Sequence, residues 1–524
     1  MSNPTRDRSI NVTDGPLLKP LVVLSIPIVL TNLLQVGYNL ADTFWVGRLG
    51  QPAVAALSFS WAIVFLVISL SLGFSVAGTV LVAQHKGAGN VDRVGHVAGQ
   101  TISLVVAVSL LFSVVGYLLA PWLLQLVGAT PGTTEFGMAV DYTRTMFVGI
   151  PFVFSFFVFQ SLLQGWGDTR TPLYLMAFGV GLNVVVDPFF ILGFQDNVVF
   201  GWLGLGALES TLFAATGFTG FGVQGAAIAT IVSRGIGAVI GIWLLLSGSV
   251  GIELTVGDFV PNTETIRRIF RIGAPASLEI STKALSVTIL TALVAIAGSE
   301  AVAAYGIGTR VTSMVVLPAL GLARGVETVV GQNLGAGQVD RARRGVRAAI
   351  GIVVAVFVLF SVGVFLFADA IIGIFVSGTG AASVVDVGAE YLRVVGVTYG
   401  FLGIFYIVQG GFRGSGRTRL AMGFAFVGFI VLRSALAYAF AVPLGWGATG
   451  IWYGEAASNV LMAGLTLAYF RYGTWVDRLV DADGSSNRQP DRKPVDRQPT
   501  DRQPTDQEQL TEPTTADDPP ADTD

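Results

Sequence analysis

The sequence predicts an all-α integral membrane protein, with twelve transmembrane helices arranged as two six-helix bundles related by a pseudo-two-fold axis along the membrane normal. Three observations predict it. Of 524 residues, 52% are hydrophobic and 12% charged, and the mean hydropathy is +0.69, a composition far from that of soluble domains. The apolar residues gather into twelve stretches, each long enough for the ~20 residues that cross a hydrocarbon core. The second half of the chain also repeats the first at a fixed spacing.

Residues 1–17 form a polar segment, and the apolar run that follows it has no small-residue cleavage site, so the first span is expected to stay in the mature chain. Spans at 18–46, 54–83, 95–120, 138–165, 170–194 and 222–248 make the first lobe, 18–248. A linker, 249–267, leads to spans at 268–297, 302–332, 345–370, 387–412, 420–443 and 447–471 in the second lobe, 268–472. Gly, Pro or charged residues punctuate the boundaries. No stretch alternates with the two-residue period of a spanning strand. Between the fifth and sixth spans, the Gly-rich, aromatic insertion 195–221 reads as an ordered cap or re-entrant loop, with a thirteenth span as the competing reading. Residues 473–524 turn to Asp, Arg, Gln, Pro and Thr and repeat a five-residue unit at Asp496–Thr500 and Asp501–Thr505. Such a tail buries no core and is expected to be disordered.

Charge sets the orientation. Lys19, Lys86, Arg93, Arg170, Arg267, Arg268, Arg341, Arg343, Arg344, Arg413, Arg417 and Arg419 mark one side, and the alternate connections hold only Arg48. The positive-inside rule then puts both termini in the cytoplasm of a multi-pass cell-membrane protein. Basic residues scattered between apolar runs exclude a nucleic-acid partner. The absence of Cys excludes disulfides and zinc–thiolate sites. With no HExxH pair, nucleophile elbow or Walker loop, neither an enzyme nor an internal ATPase is predicted and no cofactor is expected. An ion gradient is left as the energy source.

The repeat is the most informative feature. Gly50–Ala56 lines up with Gly298–Ala304, 248 positions on. The same offset lays Gln84–Arg93 on Gln332–Arg341 and Pro27 on Pro275. One register over, Tyr142 and Arg144 meet Tyr391 and Arg393, and Gly165–Arg170 meets Gly414–Arg419. Each half holds an even number of spans, so both enter from the same side, as in transporters whose substrate path runs between two parallel repeats. The two Gly-Ala-Gly turns lack the strand and Lys of a phosphate loop and read as loop geometry.

Ionisable residues inside spans are costly and point to function. Thr31, Gln35, Tyr38, Asn39 and Asp42 share one helical face. Asn183 lies one turn before Asp187, and Pro188 removes a backbone hydrogen bond beside it. Across the repeat Asp42 meets Leu290 and Asp187 meets Leu436, so neither acid belongs to the duplicated scaffold. Glu279 and Lys283, four apart, are expected to pair with each other. Arg144, Arg393, Arg310, Arg324 and Glu327 read as bundle-stabilising, and Glu455 has no evident partner.

Twelve spans in two repeats, Pro27, Asp42 ahead of Val46–Gly50, and Gln84–Gly89 together resemble the MATE (multidrug and toxic compound extrusion) family over about residues 15–472. Asn183-x-x-x-Asp187-Pro188 is similar to the archaeal, DinF-like branch. The resemblance implies a cation-coupled efflux antiporter with a cation site at Asp42, Asn183, Asp187 and Thr230. It also implies Gln35, Tyr38, Tyr142 and Gln160 near the substrate cavity and Pro27 as the bending point. The acids would hold H⁺ or Na⁺, and amphipathic organic cations or drugs would be expelled by a monomer embedded in lipid. Two alternatives stand beside this: a lipid-linked saccharide flippase, which an Arg-fringed cavity would favour, and a non-concentrative channel.

Overall fold

Two of the helices, 37 residues each, run well past the length a bilayer needs, and both end at the repeated Gly-Ala-Gly turns. The computed structural model describes residues 9–378 and 380–476. The expectations for residues 1–8 and for the tail from 477 onward lie outside the described residues.

The first half consists of α1 (Leu18–Gly47), α2 (Gln51–Gly87), α3 (Val91–Leu126), α4 (Thr134–Trp166) and α5 (Arg170–Leu192), then two short helices, α6 (Val198–Leu203) and α7 (Gly206–Thr216), and α8 (Val223–Leu246). A 3₁₀ turn at Val256–Phe259 lies in the linker. The second half consists of α9 (Thr263–Ala295), α10 (Ser299–Gly335), α11 (Val339–Leu366), α12 (Ala368–Gly373), α13 (Ala381–Gly396), α14 (Tyr399–Gly414), α15 (Thr418–Ala425), a π-helical stretch Phe426–Leu432, α16 (Arg433–Ala441) and α17 (Gly447–Tyr472). Among the described residues ten helices are long and apolar enough to cross a membrane, α15 through α16 counting as one, and α13 with α14, bent by 52° at their break, make an eleventh. α17, less apolar because Glu455, Ser458 and Asn459 turn inward, completes the twelve. The thirteenth span does not form: α6 and α7 have 6 and 11 residues, too few to cross a bilayer.

The repeat is visible in the packing. One apolar core holds α10, α11, α13, α14 and α17, and others hold α2, α3, α4 and α8. The opening turns of α1 and α9 are exchanged. Leu21 and Leu24 are buried in the core of the second half, and their repeat equivalents Ile269 and Ile272 in that of the first. Further along, Trp45 and Val46 of α1 and Leu290 and Val294 of α9 return to the cores of their own halves. Each of these helices is therefore anchored at one end in the opposite bundle, with a proline, Pro27 or Pro275, inside it.

The repeated turns close against each other. Gln84 Nε2 donates to the Gly414 carbonyl at 3.2 Å and Gln332 Nε2 to the Gly165 carbonyl at 2.9 Å, a reciprocal exchange between repeat equivalents. A Cβ on Gly87 would overlap the Gln332 carbonyl, and one on Gly335 the Gln84 carbonyl, so the two backbones approach at a distance only glycine allows. The segment before α1 reinforces the closure. Ile10 N–H donates to Gly167 O at 3.2 Å, and Asn333 and Arg341 donate to Val12 O at 3.1 and 3.2 Å. The linker is stitched to α3 through Gln100, which donates to the Asp258 and Val260 carbonyls and accepts from Asn262 N–H.

Candidate functional site

α1 turns Tyr38 and Asp42 inward while Leu40 and Phe44 on its other face are exposed. α5 contributes Asn183 and Asp187, both fully buried, with Asn183 Nδ2 donating to Asp187 Oδ1 at 2.9 Å. α8 adds Thr230, whose hydroxyl accepts a hydrogen bond from the Tyr38 hydroxyl. Asp42 stands close enough to Asp187 and Asn183 for the three groups to act on one another electrostatically. Asp42 Oδ1, Asn183 Oδ1 and Asp187 Oδ2 are buried and find no donor among the described residues. Three buried acceptors without donors are expensive in a membrane interior. A proton shared by the acids, or a hard monovalent cation taking carboxylate and amide oxygens, removes that cost. No cluster of three or more His, Cys, Asp or Glu able to hold a metal occurs among the described residues, and two acids with an amide fit H⁺ or Na⁺.

The insertion covers this corner. Asn197 Nδ2 donates to the Pro188 and Gly193 carbonyls at 3.0 and 2.7 Å, and Asn197 N–H donates to Glu209. The α5 end beside Asp187 is thus held by a side chain of the insertion. Trp202 packs on Trp45 at 5.8 Å, and the Arg48 guanidinium lies over Phe44 and Trp202.

Beside the acids a cavity of about 540 Å³ runs between the two bundles. Gln35, Tyr38, Asp42, Tyr142, Gln160 and Thr230 all border it, Asn183 and Asp187 lie behind that wall, and Pro27 sits just beyond it, next to Ile28. Gln160 Nε2 is buried with no partner among the described residues. Thr31 donates to the Pro27 carbonyl at 2.8 Å, and α1 continues unbroken through the proline.

Sequence reasoning missed Arg234. It lies four residues after Thr230 on the same α8 face, is 6% exposed and lines the cavity. Its guanidinium donates to Gln35 Oε1 and lies 5.0 Å from the Tyr38 and Phe156 rings and 5.8 Å from Phe157. No carboxylate pairs with it among the described residues. The signal was available, since an arginine inside a span is a functional candidate and a spacing of four puts it above Thr230.

The expected Glu279–Lys283 pair does not form. Arg413 takes Glu279 through Nη1 and Glu327 through Nε, each at 2.5 Å, and Arg324 adds to Glu327 at 3.1 Å. The planar fork of arginine serves two carboxylates at once, which one ammonium on the same helix face does not match. Lys283 is left on the cavity wall 5.5 Å from the Tyr406 ring. Glu455 does have a partner: Arg433, missed in sequence, pairs with it at 3.2 Å while bonding Ser458 and Asn459. Arg144 bonds the Tyr117 carbonyl as expected, Arg393 instead pairs with Asp369, and Arg310 is exposed without an ion pair among the described residues.

A family model described as MatE matches residues 27–189 and 275–439, one block in each repeat. The chain is 28% identical over 469 residues to the probable multidrug resistance protein YpnP of Bacillus subtilis, covering 89% of this chain and 98% of the relative. It is 27% identical over 464 residues to the probable multidrug resistance protein NorM of Thermotoga maritima, covering 88% and 94%. Among solved structures, a MATE in complex with MaL6 superposes with a TM-score of 0.79 at 24% identity, covering 88% of this chain and 98% of the other. That likeness bears on the fold.

Proposed function

The chain belongs to the MATE family, and on that footing we propose that it is a secondary active multidrug efflux antiporter, driven by H⁺ or Na⁺ and working by alternating access. The observation that carries the reading is the buried corner of Asp42, Asn183 and Asp187, with its three donor-free oxygens, set behind a cavity between two bundles. One coupling cation binds there, and Thr230 enters through its bond to Tyr38. The relatives named as multidrug resistance proteins support drug-sized organic compounds as substrates. The carboxylates and ring faces of this wall suit organic cations. We read the pattern Asn183-x-x-x-Asp187-Pro188 as similar to that of the archaeal, DinF-like branch, and the protein as a monomer in the cell membrane.

The reciprocal Gln84–Gly414 and Gln332–Gly165 bonds form the gate. Lys86, Arg93 and Arg341 beside it support, by the positive-inside rule, a cytoplasmic gate and cytoplasmic termini. The closed gate makes this the outward-facing state, from which drug leaves and a cation enters. Because a ligand shifts a two-state equilibrium only by its differential affinity, cation and drug favour different states. A flippase for lipid-linked pyrophosphate needs a cluster of free arginines, but two of the three arginines that border the cavity, Arg324 and Arg413, are neutralised by Glu279 and Glu327, which leaves Arg234 alone.

Efflux of a fluorescent organic cation from proteoliposomes under an imposed Na⁺ or pH gradient tests the reading. Gradient-driven flux is expected in the wild type and at least about tenfold less in Asp42→Asn and Asp187→Asn, a loss of about 1.4 kcal/mol or more in driving interaction. Flux indifferent to both gradients and both substitutions overturns it.

A further inference from the structure

The cavity wall across from the acids carries an excess of positive charge. Four charged side chains of the second half border the cavity: Glu279, Lys283, Arg324 and Arg413. Glu279 and the buried Glu327 behind it balance Arg413 and Arg324 one for one. Lys283 is then left over. It has no ion pair or hydrogen bond among the described residues, it is half-buried, and its ammonium lies beside the Tyr406 ring. The nearest carboxylate along its helix, Glu279, is turned to Arg413. On the facing wall Arg234 makes no ion pair among the described residues and donates to the neutral Gln35, with Asp42 acting on it only at longer range.

One cation without a counter-ion, Lys283, therefore borders the cavity between membrane-spanning bundles, and Arg234 borders it without a direct ion pair among the described residues. An unneutralised charge in such a place is costly, and an anionic ligand group offsets the cost directly. Lys283 is a compact point charge on a flexible stem and accepts carboxylate, sulfonate or phosphate without a fixed geometry. The rings of Tyr406 and Phe405 next to it, with Phe429, supply an apolar surface for the body of the same ligand.

We propose that Lys283 is the anchor of an anion subsite, so that the cavity accepts amphipathic organic anions in addition to organic cations, with Arg234 adding positive potential from the opposite wall. The proposal rests on the cavity being the substrate path, and it extends the substrate class beyond what the acidic wall recognises.

The test is equilibrium binding, which is independent of gradient coupling. Full-length protein in phosphatidylcholine nanodiscs is titrated calorimetrically with a matched pair of aryl probes, naphthalene-2-sulfonate and 2-naphthyltrimethylammonium. The wild type is expected to bind both. Lys283→Gln is expected to weaken the sulfonate at least about tenfold while leaving the ammonium within a factor of about two, and Lys283→Arg to retain the sulfonate. Absence of sulfonate binding in the wild type, an equal loss of both probes in Lys283→Gln, or loss of sulfonate in Lys283→Arg overturns the proposal. A third arm adds phosphatidylglycerol to the discs. Displacement of sulfonate at matched concentration assigns the subsite to a lipid headgroup and overturns the solute reading. Gradient-driven efflux can fail while sulfonate still binds, and the reverse, so the two readings fail separately.

Discussion

Asp42 and Asp187 show how one membrane-buried carboxylate acquires its meaning from the next. Alone, each would be a costly ion. Together with Asn183 they present buried acceptors without donors among the described residues, which a proton or a small cation would satisfy. Arg433 and Glu455 show the opposite outcome in the second half. There a guanidinium fills the carboxylate's needs permanently, with Ser458 and Asn459 completing the donor and acceptor set. Glu455 stands 225 positions after Thr230, at its equivalent once the insertion is discounted. Breaking one partner of such a buried pair costs about 3–5 kcal/mol, whereas replacing both by apolar residues is often near neutral. Glu455→Ala is therefore expected to lower the midpoint of thermal inactivation, followed by fluorescence-detected size exclusion. Arg433→Met with Glu455→Leu is expected to restore it and keep efflux. A Glu455→Ala protein as stable as wild type but unable to transport would show instead that the acid works in the cycle.

α1 and α9 are the elements that join the bundles, because each begins in the other half's core and ends in its own. Pro27 lies between the anchored start of α1 and the face carrying Gln35, Tyr38 and Asp42. A bend there changes the site without unpacking either core, since the proline has already removed one helical hydrogen bond. The closure proposed as the gate is the matching element on the loop face, and its tightness rests on Gly87 and Gly335. Gly87→Leu is expected to hold the gate apart and favour the cytoplasm-open state. The chain has no Cys, so Ser161→Cys, three residues before the Gln164 carbonyl that Thr328 holds, reports cavity access directly. Labelling by an impermeant maleimide from the cytoplasmic side is expected to rise about tenfold in Gly87→Leu, equivalent to a population shift of about 1.4 kcal/mol. An unchanged rate would show that the closure is not the gate.

For the whole molecule, the same scaffold appears twice while its chemistry appears once. The shared residues, Gln84 with Gln332, Leu21 with Ile269 and Gly165 with Gly414, build the closure and the exchanged helix ends. The unshared ones, Asp42, Asp187, Arg234 and Lys283, line or back the cavity. A symmetric frame rocks between two arrangements, and asymmetric charge lets ligands choose between them. Spin labels at Ala88→Cys and Ala336→Cys, on the two facing turns, are expected to give a short distance in this state. Organic cation should populate a longer distance, and Na⁺ or added acid should restore the short one. With Asp42→Asn the ion response should vanish while the drug response persists. Identical distance distributions under all conditions would remove the rocking model.

Hydropathy, the repeat and the two unshared acids were determined by the sequence alone, because each depends on residue type and spacing along one helix. The pairing of Asn183 with Asp187 was legible for the same reason, as a single turn of α5. Everything that depends on a neighbour from a distant span was decided by the tertiary structure. Glu279 chose Arg413, 134 positions away, over Lys283 four positions away, because a rigid two-pronged donor reaches two acids at once. Arg433 found Glu455, Tyr38 found Thr230, and the insertion turned Asn197 onto the end of α5. Helical periodicity says which way a side chain faces; which charge stands opposite is settled only when the bundles pack.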